Sequence, residues 1–457
     1  MTIRHVAVID IGKTNAKVAV VDLERLAETC VRRMPNLVLR VGPYPHFDTD
    51  KLWAFFIESL AALNGEQAID AISITTHGAA AALVDETGKL ALPILDYEHD
   101  GPETVSAEYD AVRPPFVETG TPRLPIGLNL GAQLFWQAKM FPEAFARTAT
   151  ALTYPQYWAF RLTGVRANEA TSLGCHTDLW DVHNSDFSSL VERMGWRPLM
   201  ATVRRASDQL GSILHEVVAA TGLAPDTPVF CGIHDSNASL LPHLIGREQP
   251  FSVVSTGTWV ICMAVGDGRV TLDPARDTLV NVNAFGELVP SARFMGGREF
   301  ETLVGTETMQ PAGFDIQTVL EKPIMLTPSV QHGSGPFPTR NAFWIGGEPM
   351  DGTRYVAASF YLAMMTATSL DLIGADGPSI VEGPFAANTL FAKMLAAATA
   401  RPVIAAGASA TGTSVGAALL AAGEGAFLPA TGSDSPAITS PGPEWEAYAA
   451  RWQEAVG

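Results

Sequence analysis

Gly12-Lys13-Thr14, within "VAVIDIGKTNAKVAVVD" at 6–22, brings together residue types that hold phosphate: a glycine that admits close backbone approach, a cation and a hydroxyl. It is not a P-loop. That motif needs GxxxxGK[ST] between a strand and a helix, and Ala7 stands where the first glycine belongs. The residues that follow, Ala16 to Val21, are rich in β-branched valine without helical spacing and predict a second strand. The reading is strand, polar glycine turn, strand, with Thr14 and Asn15 as added donors and Lys13 and Lys17 as added positive charge. Asp10, ending the first strand, suits the water shell of a phosphate-bound Mg²⁺, and equally suits turn stabilisation.

The pattern returns in "FSVVSTGTWVICMAVG" at 251–266, whose turn is Ser255-Thr256-Gly257-Thr258. Two such turns suggest an internal duplication and, facing one another across a cleft, would grip a triphosphate from both sides; two ordinary hairpins give the same pattern. "PVFCGIHDSNASLLPHL" at 228–244 reads as a buried strand ending in His234 and Asp235, with a helix starting at Ser236 or Asn237. An aspartate at the carboxyl end of such a strand can take a proton from a hydroxyl nucleophile, or it can cap the helix, and the pattern leaves these readings level. His77, between a strand and Gly78, reads by itself as a structural histidine. "DYEHD" at 96–100 matches no metal motif and reads as a solvated acidic loop. "GASATGTS" at 407–414 is a second near miss for the P-loop, with Thr413 in place of the lysine.

The elements that must position these residues are α/β throughout. Residues 70–95 read as strand, loop, strand, turn and strand, and 132–164 has helical spacing stopped by Gly164. Residues 352–374 predict a long helix, and 378–427 run strand, glycine turn, helix, strand, glycine loop, helix. With 457 residues, 47% of them hydrophobic, the chain can bury two cores, with a seam near 240–250. Acidic residues outnumber basic ones by 48 to 30 for a net charge of −18, without a basic block, which argues against nucleic acid as a partner. Cys30, Cys175, Cys231 and Cys262 are widely spaced with no CxxC pair, which argues against a zinc site or disulfide framework and fits a reducing cytoplasm. The expectation is a chain without targeting leader or membrane span, since no run reaches ~18 apolar residues. GxGxxG after a strand, HExxH and GxSxG are all missing.

Taken in order, "DIGKTNAK", "YWAFRLTG" followed by "ANEATSLGCHTDLWD", "GIHDSNASL", "STGTW" and the turn after "SIVEG" resemble the FGGY carbohydrate kinases from about residue 3 to 427. The resemblance implies two actin-like (ribonuclease H-like) domains around a central cleft. Residues 1–245 would bind the sugar and carry the base, and 246–457 would bind the nucleotide. It implies ATP with Mg²⁺ as cofactors and transfer of the γ-phosphoryl to a ketose or deoxyketose such as L-fuculose, L-rhamnulose or a pentulose. Asp10 would belong to the first phosphate motif and face the metal, with Gly12, Lys13, Thr14, Asn15 and Lys17 on ATP. Thr256, Gly257 and Thr258 would form the second phosphate motif, and Gly383 with Asn388 the adenosine segment. Asp235 would be the catalytic base, and Thr76, His77, Gly78 and His234 would stand with it on the sugar, His77 at the position of a sugar-contacting histidine in xylulokinase-like members. Two departures stand out: Lys13 replaces the commoner threonine, and "EGPFAAN" replaces a triple-glycine turn. "STGTW" and "MGGREFE" lie nearer the rhamnulokinase and fuculokinase members than the glycerol kinases. The partner implied is a small sugar, with a homodimer the assembly considered. The rival readings are an actin-like ATPase of chaperone or filament type, whose ATP turnover would ignore sugar, and a sugar sensor without catalysis.

Overall fold

The computed structural model describes residues 3–266, 270–305, 311–322, 324–406, 412–423 and 436–457, so residues 407–411 of the second near-miss loop lie outside it. The chain divides into two units: Met1–Gly246 with Val280–Leu288 and Thr411–Leu428, and Arg247–Leu279 with Val289–Ala410 and Pro429–Gly457.

The first unit is built on the hairpin read from the sequence. β1 (His5–Ile11) pairs antiparallel with β2 (Asn15–Asp22), and β2 with β3 (Ala27–Pro35). Across α1 (Thr49–Glu66), the chain returns as β4 (Ala71–Thr76), parallel to β1. The run "HVAVID" is almost continuously apolar because both sheet faces are covered. Ala7, Ile9 and Ile11 pack with Phe56 and Leu60 of α1, while Val6 and Val8 pack with Ala238, Leu241 and Val415 on the opposite face. Each such side chain contributes roughly 1.5–3 kcal/mol relative to exposure. Asp10 shares the parity of Val6 and Val8 and therefore turns towards that second face.

β5 (Ala81–Val84) and β6 (Leu90–Leu92) follow as read, but they pair in a separate small sheet with β7 (Thr150–Thr153). That strand corrects the helical reading of 132–164. α2 (Leu130–Met140) stops where Pro142 restricts Phe141, the threonine-rich run at 148–153 extends, and α3 (Tyr154–Thr163) restarts with Pro155 in its first turn and ends on Gly164 at φ +76°. β8 (Gln209–Ser212) lies on the edge of the main sheet beside β9 (Pro228–Phe230), and β10 (Ile233–His234) continues β9 along β4 before α4 (Asp235–Gly246). The strand read as unbroken at 228–233 is interrupted at Cys231-Gly232. Gly232 has φ +88°, a Cβ there would lie 2.7 Å from the Ile74 oxygen, and the carbonyls of both residues accept from Gln156 Nε2 at 3.0 and 3.1 Å.

The second unit repeats the scheme. β11 (Phe251–Thr256) and β12 (Val260–Val265) form the second hairpin; beyond them come β13 (Thr278–Val282) and β14 (Leu288–Phe294), the latter antiparallel to β12. After α5 (Gly296–Val304) and the long α6 (Asp351–Leu372), β15 (Ser379–Glu382) runs parallel to β11. α7 (Thr389–Thr399) then leads to β16 (Val403–Ala405). Inside the edge strands β8 and β13, the sheets read β3-β2-β1-β4-β9 and β14-β12-β11-β15-β16, one strand order used twice. The duplication suggested by the two hairpins is therefore present in the fold.

α8 (Gly412–Leu419) follows in sequence but counts with the first unit, as does 280–288, both of which the sequence assigned to the second half. α8 lies so close to α4 that a Cβ on Gly416 would sit 1.7 Å from the Ala238 oxygen. α9 (Pro443–Val456) closes the second unit, burying Trp445, Tyr448 and Trp452 in its core.

Candidate active site

Parallel pairing brings three strand ends of the first unit into line. Asp10 lies opposite Thr75 of β4, Thr75 opposite Ile233 of β10, and Thr76 opposite His234. The next residues out are His77 and Asp235, at the carboxyl edge where α/β sheets hold ligands. Asp235 opens α4; its Oδ1 accepts from Ser236 N at 2.6 Å and lies 3.2 Å from His234 Nε2. Burial lifts the Asp235 carboxyl above the ordinary range, although a third of the side chain still meets solvent. The protonation of His234 follows from its partners. Asn237 Nδ2 donates to His234 Nδ1 at 3.4 Å, so Nε2 carries the proton and donates to Asp235. Burial holds His234 down to about 4, hence neutral.

His77 is 6% exposed and enclosed by aromatic rings: Phe47 and Tyr154 each at 5.1 Å, and Tyr97 edge-on at 5.3 Å. Its Nδ1 is 2.8 Å from the Gly78 carbonyl, which can only accept, so Nδ1 is the protonated nitrogen. Nε2 is then a lone pair, buried and without a partner among the described residues. Burial lowers His77 to about 4, so it is neutral near pH 7 and offers Nε2 only to a donor such as a hydroxyl. Gly78 is needed for proximity, since a Cβ would come within 3.0 Å of His234 Nε2 and 3.6 Å of His176 Cε1. Ala79 and His176 hold φ of +53° and +42°, backbone strain gathered beside these rings. Thr76 is fully buried, and its hydroxyl donates to the His77 carbonyl at 2.9 Å, so it supports the turn.

The first hairpin turn closes with Gly12 N donating to Asn15 O at 2.9 Å and is braced by Asn36 Nδ2 to Gly12 O at 2.9 Å. The N–H groups of Lys13 and Thr14 donate to nothing among the described residues. Gly12 has no positive φ, and a Cβ would meet only Asn15 O at 3.4 Å, so the chain's own packing does not demand glycine there. Neither lysine is free on this turn. Lys17, opposite Asp10 in register, pairs with Asp10 at 3.2 Å and Glu28 at 2.8 Å. Lys13 turns away to Asp96 and, at 3.3 Å, Glu98, with its ammonium 4.7 Å above the Tyr97 ring. It thus joins the His77 recess. Asp10 is raised by burial against the pull of Lys17, and the charge of Asp235 raises it further. Ser414 of α8 approaches Asp10 Oδ2 at 3.5 Å.

In the second unit, Gly257 repeats the behaviour of Gly12: its N donates to Trp259 O at 2.9 Å, φ is not positive, and a Cβ would meet only that oxygen, at 3.8 Å. The Thr258 N–H has no partner among the described residues. Thr256 has an internal role, its hydroxyl bonding to the Glu382 carbonyl and accepting from Phe385 N at 3.1 Å. Gly383, at φ +78°, lets the chain pass where a Cβ would be 2.0 Å from Thr256 O. Asn388 caps α7 through Leu390 N and Phe391 N, both at 3.1 Å, and its Nδ2 reaches Ser359 at 3.0 Å.

The sequence reading missed the walls of the recess. The "DYEHD" loop is not simply solvated: Asp96 is 3% exposed and Tyr97 faces His77. Phe47, Tyr154 and Ser414 carry no spacing that marks them, and only the polar-aromatic mixture in 96–100 hinted at Tyr97. Among the described residues, no group of three or more His, Cys, Asp or Glu gathers as a metal cluster.

A pair of units sharing one strand order, each headed by a polar glycine hairpin, defines an actin-like, ribonuclease H-like protein. The profile described as "FGGY family of carbohydrate kinases, N-terminal domain" matches residues 5–242, and "Carbohydrate kinase FGGY, C-terminal domain" matches 248–429. The chain belongs to the FGGY carbohydrate kinases. It is 25% identical over 273 residues to L-fuculokinase of Salmonella typhi, covering 58% of this chain and 57% of that one. To a probable L-xylulose kinase of Pasteurella multocida it is 26% identical over 267 residues, covering 56% and 55%. The match thus spans a little over half the length of these curated relatives. A carbohydrate kinase from Novosphingobium aromaticivorans has a TM-score of 0.92 at 37% identity, covering 100% of this chain and 99% of that one. Plasmodium falciparum glycerol kinase with ADP, at 14% identity, has a TM-score of 0.81 over 99% of this chain and 97% of that one, a likeness of fold. No helix among the described residues is long and apolar enough to cross a membrane.

Proposed function

We propose that the protein transfers the γ-phosphoryl group of ATP to a hydroxyl of a neutral ketose or deoxyketose. The observation that carries this reading is the unpartnered Nε2 of His77 in an aromatic recess beside Asp235. A buried acceptor lone pair is costly unless a ligand donates to it. Apolar rings around a single acceptor suit a polyol, whose C–H faces pack on aromatics while its hydroxyls bond. Charge supports a neutral acceptor. Lys13 is paired with Asp96 and Glu98 and Lys17 with Asp10 and Glu28, so neither lysine is free to receive the carboxylate of a sugar acid. The names of the relatives, L-fuculokinase, probable L-xylulose kinase and rhamnulokinase, make L-fuculose, L-xylulose and L-rhamnulose the first acceptors to try.

In this mechanism Asp235 takes the hydroxyl proton as the oxygen attacks phosphorus, and its raised pKa makes it a better base than an ordinary carboxylate. His234 Nε2–H holds Oδ1 and leaves Oδ2 for the proton. The Lys13 and Thr14 N–H groups meet phosphate oxygens, and Gly12 stays bare so that those oxygens can come close. Asp10 fits a water-mediated Mg²⁺, since Lys17 and Ser414 meet only Oδ2, leaving Oδ1 unbonded among the described residues. Bound Mg²⁺ would neutralise phosphate charge. Phosphoryl transfer rests on such positioning and neutralisation. ADP release measured over ketoses, aldoses and polyols tests the reading: turnover should rise sharply with one ketose class. ATP hydrolysis indifferent to every sugar would point instead to an actin-like ATPase, and no turnover to a sensor.

A further inference from the structure

The second unit holds a cavity of about 900 Å³ that the reaction does not use. It lies at the far end of α7. Asn388, in the proposed adenosine segment, caps the start of that helix, whereas Thr399 at its last position lines the cavity, a separation of about 16 Å along 11 residues.

Three arginines converge on the cavity in a protein whose net charge is −18. Arg276 and Arg340 each stack on Phe337, with guanidinium carbons 5.3 Å from the ring centre, and Arg340 donates to Gly457 O at 3.3 Å. Arg401 makes no hydrogen bond or ion pair among the described residues, and its Nη1 is fully buried without a partner. Asp371 is the acidic side chain on the wall, and it forms no ion pair with any of the three. An unpaired guanidinium in a half-buried position is destabilising by itself. Burial lowers the Arg401 pKa against the attraction of Asp376, Cys262 and Asp371.

We propose that this cavity is a second ligand site and that it takes a small phosphate monoester through Arg276, Arg340 and Arg401. Guanidinium groups present forked N–H donors that match phosphate oxygens, and three such cations on one wall suit a dianion. Ala367, Ala398 and Val456 on the wall give the ester's carbon portion an apolar seat. The volume lies within the range of small-molecule sites.

Calorimetric and thermal-shift titrations of the full chain without nucleotide, using fructose 1-phosphate and inorganic phosphate as probes, test this. Fructose 1-phosphate should bind and raise Tm, and more tightly than inorganic phosphate. R401M should melt at or above wild type in ligand-free buffer, because it removes an unpaired cation, yet bind the ester at least tenfold more weakly. Arg340→Gln, on another part of the wall, should repeat the loss, and Gly12→Val on the first hairpin turn should retain full binding. Wild-type affinity in both arginine variants overturns the site, as does loss of binding in Gly12→Val or no binding by the native protein. Inorganic phosphate bound as tightly as the ester overturns the ester assignment.

Discussion

Replacing Lys13 by methionine separates an acceptor role from a nucleotide role. The residue sits on the proposed phosphate turn, but its ammonium is spent on Asp96, whose side chain is 5% exposed, and lies over the Tyr97 ring that faces His77. Removing one partner of a buried pair costs about 3–5 kcal/mol; with the Lys13 side chain 18% exposed, about 2–4 kcal/mol is the appropriate expectation. Glu98 is 59% exposed and adds little. Lys13→Met should therefore destabilise, Asp96→Asn should do so less, and the double variant should recover most of the loss, giving a coupling of about 2 kcal/mol in urea unfolding. With Tyr97 released, kcat/KM for the acceptor should fall by about 10–100-fold, equivalent to about 1.4–2.8 kcal/mol, while KM for ATP stays within about twofold. A raised KM for ATP with unchanged acceptor kinetics, or additive stabilities, would refute the reasoning and return Lys13 to the nucleotide.

His77→Leu removes an orphaned lone pair as well as a bond to Gly78, so Tm should change little while the acceptor kcat/KM drops by about 5–150-fold, the equivalent of about 1–3 kcal/mol; unchanged acceptor kinetics would take His77 out of the recess's function. Gly12→Val should leave the far-UV spectrum intact and weaken ATP binding, and native nucleotide affinity would remove the turn from the phosphate site. The pH dependence of stability should carry opposing contributions. His77 and His234, held at about 4 against 6.5 when free, leave the unfolded chain binding more protons as pH falls, so their contribution is lost between pH 6.5 and 4. Glu169, raised by burial to about 7 from 4.5, keeps its proton in the folded state; its contribution is full below pH 4.5 and is lost as pH rises through 7, on the order of 3 kcal/mol. Urea unfolding of Glu169→Gln at pH 5 and 7.5 should show that loss removed, and a pH dependence identical to wild type would contradict the burial argument.

Much of the fold was legible because both hairpins announce themselves locally: valine-rich strands on either side of a polar glycine turn leave little alternative. The helical reading of 132–164 failed because apolar spacing cannot distinguish a continuous helix from three helices and a short buried strand; Pro142 and the threonines at 148–153 held that information. At the site, strand-end position alone left Asp10 and Asp235 open between a ligand role and a turn or cap and read His77 as structural; the resemblance favoured the site roles, and parallel register lines up the strand ends beside these residues. Tyr97, Phe47 and Tyr154 come from a loop, a short strand and a helix start, and only tertiary packing gathers them. Lys13 was legible as a cation but not in its direction, which depends on a carboxylate 83 residues away.

The central claim is that Asp235 is the base of an acceptor-dependent phosphoryl transfer. Its test is acceptor-stimulated ADP release by wild type and Asp235→Asn under saturating ATP and the best ketose. Asparagine keeps the size and the oxygen that Ser236 N and His234 Nε2 address, so Tm and ligand affinities should stay near wild type. It cannot take the proton, so kcat should fall by about 10²–10⁴. Asparagine caps helices as well as aspartate does, and near-native turnover would therefore assign Asp235 to the start of its helix and contradict the account.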